Sequence, residues 1–177
     1  MSPEPPEPPE PPGPTAPRRP VPRPLVGLVV VVVAAAAVWA YAVGSRGVEA
    51  APGAGDPACA PLLDALPATL GGLARTPQGA AGVAAWGEDQ VVLRCGALVL
   101  GPTTKACVPV GPDAGPSVDW VQDAAGERAV RFLTYGRTPA VEVTVRFGDG
   151  ITRDQATSQL IDLAAPVSAI PQTRTCL

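Results

Sequence analysis

Residues 25–43 (LVGLVVVVVAAAAVWAYAV) form one continuous apolar run without a charged side chain. At roughly 1.5 Å of rise per residue, a helix of this length crosses a hydrocarbon core of about 30 Å. The run therefore predicts a single transmembrane helix. It also divides the chain into a proline-rich head at 1–24, a linker at 44–55 and a domain at 56–177.

The charges around the apolar run predict its orientation. Arg18, Arg19 and Arg23 precede it, whereas only Arg46 follows it closely. Basic residues beside a span stay on the cytoplasmic side, so we expect a cytoplasmic N-terminus and an extracytoplasmic domain. The competing interpretation is a signal peptide cleaved after Ala42, where Ala-Tyr-Ala has the small-x-small pattern of a cleavage site. Both interpretations export the domain.

The head repeats Pro-Pro-Glu, a composition typical of an extended polyproline II rod. It has too few apolar side chains to form a core, so we predict a disordered cytoplasmic tail. The linker at 44–55 is rich in glycine, alanine and proline, which predicts a flexible connection between the span and the domain.

All four cysteines follow the apolar run: Cys59, Cys95, Cys107 and Cys176. An even number of cysteines on the exported side predicts two disulfides, for which three pairings are possible. We favour Cys95–Cys107, which would join adjacent strands, and Cys59–Cys176, which would tie the start of the domain to its end. A metal site is disfavoured because the chain has no Cys-x-x-Cys spacing and no histidine.

The domain contains several segments with the pattern of β-strands. In residues 140–147, valines and a phenylalanine alternate with Glu142, Thr144 and Arg146, which predicts a strand with one buried face. Residues 127–134 are the expected hairpin partner, and Arg131 is expected to pair with Glu142 across the outer face. Further strands are predicted at 82–86, 90–95, 106–110 and 117–122.

Helices are expected near both ends of the domain. Asp56 before a proline is typical of an N-cap, and leucines at helical spacing continue as far as Leu70. Thr152 and Gln155 resemble a capping box that would precede a last helix over 160–163. We therefore predict an α+β fold, in which a small antiparallel sheet packs with a helix near each end and is stapled by two disulfides.

The composition excludes several classes of chemistry. The chain has no histidine, which removes Ser-His-Asp and Cys-His nucleophiles, histidine-based zinc sites and the commonest general base. A net charge of −3 with interspersed signs is unlike a nucleic-acid-binding domain. No phosphate-binding loop precedes a predicted helix. We expect no cofactor, no metal and no catalytic residues.

Three charged residues are candidates for ligand binding. Arg137, in a loop after Gly136, and Arg94, in a strand, suit an anion or a carboxylate. Asp119 lies beside Trp120, where partial burial would raise the pKa of a carboxyl group. The plainer interpretation is that Arg137 lies on the surface, Trp120 fills the core and Asp119 points to water.

Several motifs together resemble an uncharacterised actinobacterial family of single-pass membrane or envelope proteins. The motifs are Cys-Ala-Pro-Leu-Leu from Cys59, Leu-Arg-Cys-Gly ending at Gly96, Val-Asp-Trp ending at Trp120, Tyr-Gly-Arg ending at Arg137, and the following Pro-Ala-Val. The resemblance covers the span and the domain from Cys59 to about residue 163. It implies a membrane-anchored or secreted protein with paired cysteines, and it implies no activity and no site residues.

The sequence supports three hypotheses about function. The first is a non-enzymatic, membrane-anchored component of the cell envelope that binds or scaffolds an envelope protein or a cell-wall component. The second is a binding module or sensor for a small anionic envelope ligand, which would use Arg137 and Arg94. The third is a hydrolase that uses Asp119 and another carboxylate. No interaction with nucleic acid is expected.

Overall fold

The structure, a computed structural model, describes residues 47–148 and 150–176. The tail predicted at 1–24, the transmembrane helix predicted at 25–43 and the start of the linker lie outside this part of the chain. Among the described residues, no helix has both the length and the apolar character that a membrane crossing requires.

The domain is built on one eight-stranded antiparallel sheet in the order β1-β2-β3-β4-β8-β7-β6-β5. The first four strands form a meander and the last four form another, and the two meanders join where β4 pairs with β8. The strands are β1 Thr69–Leu70, β2 Leu73–Thr76, β3 Val83–Trp86, β4 Val91–Ala97, β5 Cys107–Val110, β6 Val118–Ala124, β7 Ala129–Thr134 and β8 Ala140–Arg146.

One face of the sheet carries the hydrophobic core. The valines at 141, 143 and 145 in β8 pack there with Trp86, Trp120 and Phe132. Their alternation with polar residues is the pattern that predicted this strand, because successive side chains in a strand point to opposite faces. Trp120 is completely buried, as the plainer interpretation of the sequence expected.

The helical elements cover this core face. They are α1 Cys59–Ala65, a 3₁₀ helix at Thr157–Leu163 and α2 Ala164–Ser168. Leu62 of α1, Leu160 and Leu163 of the 3₁₀ helix and Val167 of α2 all join the core cluster. The α+β prediction, with a small antiparallel sheet, two short helices and two disulfides, is therefore confirmed for the described residues.

The first helix differs from its prediction at both ends. It begins at Cys59 rather than just after Asp56, whose carboxylate accepts a hydrogen bond from the Ala58 N–H at 2.9 Å in a turn before the helix. It ends at Ala65, and Leu70 belongs to the short hairpin of β1 and β2. Leu70 is fully buried, so its spacing reflects burial in a strand and not a helical face.

Of the capping box predicted before the last helix, only the glutamine half forms, and the N-cap of that helix is Ala156, which makes no side-chain capping bond. The Gln155 side-chain oxygen accepts a hydrogen bond from the Thr152 backbone N–H at 3.0 Å. The element that follows winds first as a 3₁₀ helix and becomes α-helical only at Ala164.

The two disulfides are present, but the predicted pairing is wrong. Cys59 is bonded to Cys95 and Cys107 to Cys176, with Cα–Cα distances of 5.6 and 5.8 Å. Four strand intervals separate β4 from β5, which is about 19 Å at about 4.8 Å per interval. A disulfide requires less than about 7 Å between Cα atoms, so Cys95 and Cys107 are too far apart to pair.

The faces of the sheet give a second reason for this pairing. Cys95 belongs to the core cluster, where Cys59 of α1 packs. Trp120 points into the core, so its neighbour Val121 points to the outer face. Cys107 lies opposite Val121 in the register and therefore points to the outer face as well. The pairing follows from which face each cysteine occupies.

Candidate functional site

A row of side chains crosses the outer face of the sheet, opposite the core. The register pairs Arg94 with Glu142, Glu142 with Leu133, and Leu133 with Val121, across strands β4, β8, β7 and β6. Directly opposite residues of neighbouring strands are close enough for their side chains to interact. The row therefore places an ion pair beside an apolar floor.

A groove of about 540 Å³ lies over this row. The segment from 98 to 106 connects β4 to β5 past three intervening strands. Its residues 98–101 and Lys105 line the groove together with Leu133 and Glu142, so it crosses the outer face. Ala97 at the end of β4 and residues 98–101 of this connection form one wall, and Ala51 and Pro52 form another. The volume is within the range of about 300–1,000 Å³ typical of small-molecule sites.

The mouth of the groove is apolar and open. Leu98 is 76 % exposed and Val99 is 43 % exposed, and both line the groove. Leucine and valine side chains are most often buried, so a neighbouring pair at the rim of a concave site is typical of a contact surface.

Arg94 and Glu142 form an ion pair at one side of the floor. The Arg94 Nε and Nη2 atoms both donate to Glu142 Oε1, at 3.0 and 2.5 Å. Arg94 is partly exposed while the Glu142 side chain is only 11 % exposed. The predicted pairing of Glu142 with Arg131 is wrong because the register places Arg131 opposite Thr144 and gives Glu142 a neighbour from β4 instead.

A second charged cluster lies at the other side of the groove. Asp123 Oδ2 accepts hydrogen bonds from Lys105 Nζ at 2.7 Å and from Arg131 Nη2 at 3.1 Å. The hydrogen bond from Lys105, followed by the one from Arg131, lowers the pKa of Asp123. One carboxylate is thus shared by two partly exposed cations.

The lining of the groove as a whole has one more positive than negative charge. Its charged members are Arg94, Lys105, Arg131, Asp123 and Glu142. A single anionic group would balance them.

The N-terminal wall of the groove is attached through a glycine. The Gly53 N–H donates to the Gly96 carbonyl at 2.8 Å. Gly96 has a φ of +86°, and a Cβ on it would lie 2.1 Å from the Gly53 carbonyl carbon. Only glycine lets the two backbones approach this closely with that φ value.

Arg137 lies elsewhere, buried beneath the C-terminal segment. It is 4 % exposed, and its guanidinium donates to the carbonyls of Ser168, at 3.3 Å, and Ile170 and to Gln172 Oε1 at 3.0 Å. Burial lowers the pKa of Arg137, and the charge of Asp119 opposes this effect. The surface position expected for Arg137 is wrong, because residues 168–172 cover the loop that carries it.

Asp119 is engaged by the same C-terminal segment. Its Oδ2 atom accepts hydrogen bonds from Gln172 Nε2 and from the Cys176 N–H, each at 2.8 Å. It is 9 % exposed, so it does not point freely to water as the plainer interpretation expected. Gln172 therefore bridges Asp119 and Arg137, and Arg94 alone of the three candidates lines the groove.

The β5 edge of the sheet is poorly suited to adding a partner strand. The Gln122 N–H donates to the Ala106 carbonyl at 3.1 Å, so by alternation residues 107 and 109 direct their backbone groups away from β6. Residue 109 is proline, which has no N–H to donate. Proline on an edge strand hinders edge-to-edge pairing, which leaves the groove as the stronger candidate.

Sequence reasoning missed most of the groove residues. Lys105 directly precedes the strand predicted at 106–110, Asp123 lies just past the strand predicted at 117–122, and Leu133 lies within the one predicted at 127–134. The outward positions of Asp123 and Leu133 could have been read from their alternation with Trp120 and Phe132. The crossing connection that makes the groove depends on the strand order, which the sequence does not show. The described residues also contain no group of three histidine, cysteine, aspartate or glutamate side chains that could hold a metal ion.

A family model described as a protein of unknown function (DUF3515) matches residues 23–174. The chain belongs to this family. No curated protein and no solved structure matches it. The family match includes the apolar run at 25–43, both walls of the groove and all the charged residues that line it.

Proposed function

We propose that this protein is a non-enzymatic binding component of the cell envelope, held in the membrane by a single span at 25–43. Its domain lies outside the membrane, and the groove on the outer face of the sheet is its binding site. The observation that carries the proposal is the groove itself, where an apolar floor, two ion-pair clusters and two exposed apolar side chains converge.

Three features support the location outside the membrane. Arginines are concentrated before the apolar run, which favours a cytoplasmic N-terminus. All four cysteines form disulfides, which persist in oxidising compartments. The family match takes in the apolar run together with the domain, so both are part of the same family architecture.

The charged groups support binding rather than catalysis. The chain has no histidine, and the two carboxylates of the groove are already held by cations: Glu142 by Arg94, and Asp123 by Lys105 and Arg131. A general base must accept a proton near neutral pH, whereas the two cations lower the pKa of Asp123. Asp119, the remaining hydrolase candidate, is covered by the C-terminal segment.

Photo-crosslinking in intact cells tests the proposal. A photoreactive phenylalanine analogue replaces Gly101, which lines the groove and has open space around the position of a Cβ. The matched control carries the same analogue at Ile161, which is 39 % exposed on the 3₁₀ helix. We expect a reproducible adduct from position 101 that position 161 does not give. Absence of any adduct specific to position 101 would contradict the proposal.

The anchor has a separate test. The full chain should remain in the membrane fraction after an alkaline wash, and its intact mass should include residues 1–42. Recovery of a mature chain that begins at Val43 would support the signal-peptide interpretation instead and would remove the anchor from the proposal.

A small anionic envelope ligand is a second candidate for the groove. It is favoured by the excess of one positive charge in the lining. Thermal-shift measurements on the full chain with cell-wall fragments test this candidate, because a ligand at 100 times its Kd stabilises the folded state by about 2.7 kcal/mol. A melting temperature that no fragment raises would argue against this class of ligand.

A further inference from the structure

Two neighbouring exposed apolar side chains of the domain lie beside the groove. The large hydrophobic residues that stand out as exposed in the described part of the chain are Leu98, Val99, Val108 and Ile161. Two of them are adjacent and belong to the apolar stretch at 97–100, which walls the groove. Such a short apolar tip is smaller than the surface of about 800 Å² that each partner buries in a stable protein interface.

Cationic side chains accompany this tip. Lys105 and Arg131 share the carboxylate of Asp123, and their side chains remain 51 % and 41 % exposed. Arg94 lines the same groove. An apolar tip beside exposed cations is the combination that proteins use at an anionic membrane surface, where the apolar groups enter the interface and the cations attract the headgroups.

Few residues separate the groove wall from the apolar run along the chain. Ala51 and Pro52 form one wall of the groove, and Ala51 follows Val43 by only eight positions in the chain. At roughly 3.3–3.6 Å per extended residue, this stretch spans at most about 29 Å. A groove wall on so short a tether remains within reach of the surface of the membrane that holds the anchor.

We propose that the groove mouth binds anionic lipid of that membrane. Residues 97–100 enter the interface, and Lys105 and Arg131 contact the lipid phosphate. The phosphate balances the excess positive charge of the groove lining. This inference rests on the proposed function, because it requires the span at 25–43 and the domain to belong to one membrane-bound protein.

Tryptophan quenching by brominated lipids tests the contact. Leu98→Trp is made in the full chain with Trp39→Phe, which removes the tryptophan of the apolar run; Trp86 and Trp120 are fully buried. The protein is reconstituted into vesicles that contain lipid brominated in its acyl chains. We expect strong quenching of the new tryptophan, and little quenching when it is placed instead at Ile161. Equal quenching at the two positions would overturn the proposal.

A second reporter guards against a local effect of the first substitution. Val99→Trp should show the same quenching as Leu98→Trp, because the two side chains are neighbours at the mouth. Quenching of neither reporter, in protein that melts like the parent, would also overturn the proposal.

The dependence of quenching on the charge of the lipid headgroup identifies the lipid class. Quenching should be stronger when the brominated lipid is phosphatidylglycerol than when it is phosphatidylcholine. Lys105→Gln should reduce this preference about fivefold, since a basic residue near an anionic surface contributes about 1 kcal/mol. Soluble glycerol phosphate should not compete, and competition by it at millimolar concentration would indicate a site for the free anion and overturn the lipid proposal.

The failure of this proposal is distinguishable from the failure of the proposed function. If the full chain washes out of membranes, the proposed anchor is contradicted. If the chain stays in membranes but shows no preferential quenching at residues 98 and 99, only the proposed lipid contact is contradicted. A crosslink from position 101 to a protein, without any to lipid, would keep the binding function and assign the groove to a protein partner.

Discussion

Replacing Arg137 with alanine should destabilise the domain by about 3 kcal/mol. The guanidinium is buried and connects the loop after β7 to the C-terminal segment through the carbonyl of Ile170 and the side chain of Gln172. A hydrogen bond to a charged group contributes about 1.5–3 kcal/mol, and breaking a buried charged network costs about 3–5 kcal/mol. The desolvation that lowers the pKa of Arg137 offsets part of the stabilisation from these hydrogen bonds. The expected loss is therefore at the lower end of the range for a buried charged network.

Urea unfolding of the full chain with intact disulfides measures this loss as a shift in the midpoint. Arg137→Lys should fall between the wild type and Arg137→Ala, because lysine keeps the charge but lacks the planar fork that reaches several acceptors. The matched control is Arg128→Ala, an exposed arginine whose removal should change stability by less than about 0.5 kcal/mol. If Arg137→Ala lowers the free energy of unfolding no more than Arg128→Ala does, the stabilising role assigned to the hydrogen bonds of Arg137 is refuted.

Four further predictions follow from the outer face and its turns. Gly96→Ala should destabilise the domain by about 2 kcal/mol or more in urea unfolding, because the new Cβ clashes with the N-terminal wall at a positive φ. Arg94→Ala should cost about 1–2 kcal/mol in the same assay, since it leaves the buried Glu142 carboxylate without its partner. Lys105 and Arg131 lower the pKa of Asp123, so its ionised form stabilises the fold at neutral pH. Acid titrations should show this contribution lost as the pH falls below about 4, and Asp123→Asn should lack this part of the acid sensitivity. Glu88→Gly should raise the melting temperature slightly, because residue 88 has a φ of +53°.

The local part of the fold was predictable from the sequence. The alternation in residues 140–147 identifies β8, and the hairpins of β3 with β4 and of β7 with β8 are recognisable because each joins neighbours in the chain through a short turn. For β7 and β8 the sequence also shows which face is apolar. These features depend only on the side-chain period of a strand and on turn residues, both of which are local.

The spacing of apolar residues gave a wrong prediction where a helix and a hairpin place leucines at the same intervals. Leu66 and Leu70 fit a helical face, but the chain leaves the helix at Ala65, and Leu70 enters the core from a hairpin whose turn is Gly71-Gly72. Those glycines fit a helix end as well as a turn, because both require a positive φ. The spacing itself could not distinguish the two.

The disulfides and the ion pairs depend on the strand order, which the sequence does not contain. Arg131 and Glu142 belong to the two strands of the same hairpin, β7 and β8, so a local argument pairs them. The pairing of β4 with β8 brings Arg94 to Glu142 instead and leaves Arg131 to Asp123. This pairing joins residues nearly 50 positions apart, and no local pattern indicates it.

Both ends of the described chain hold the segment that forms the groove. At one end, Gly53 is bonded to Gly96, where β4 leads into the crossing connection. At the other, Arg174 Nη2 donates to the Leu100 carbonyl at 3.2 Å, and Cys176 is bonded to Cys107, where the connection ends. The core of the domain lies on the opposite face of the sheet. The exposed side chains of Leu98, Val99 and Lys105 can therefore determine what the groove binds without contributing to the core, which is why we place the binding function there.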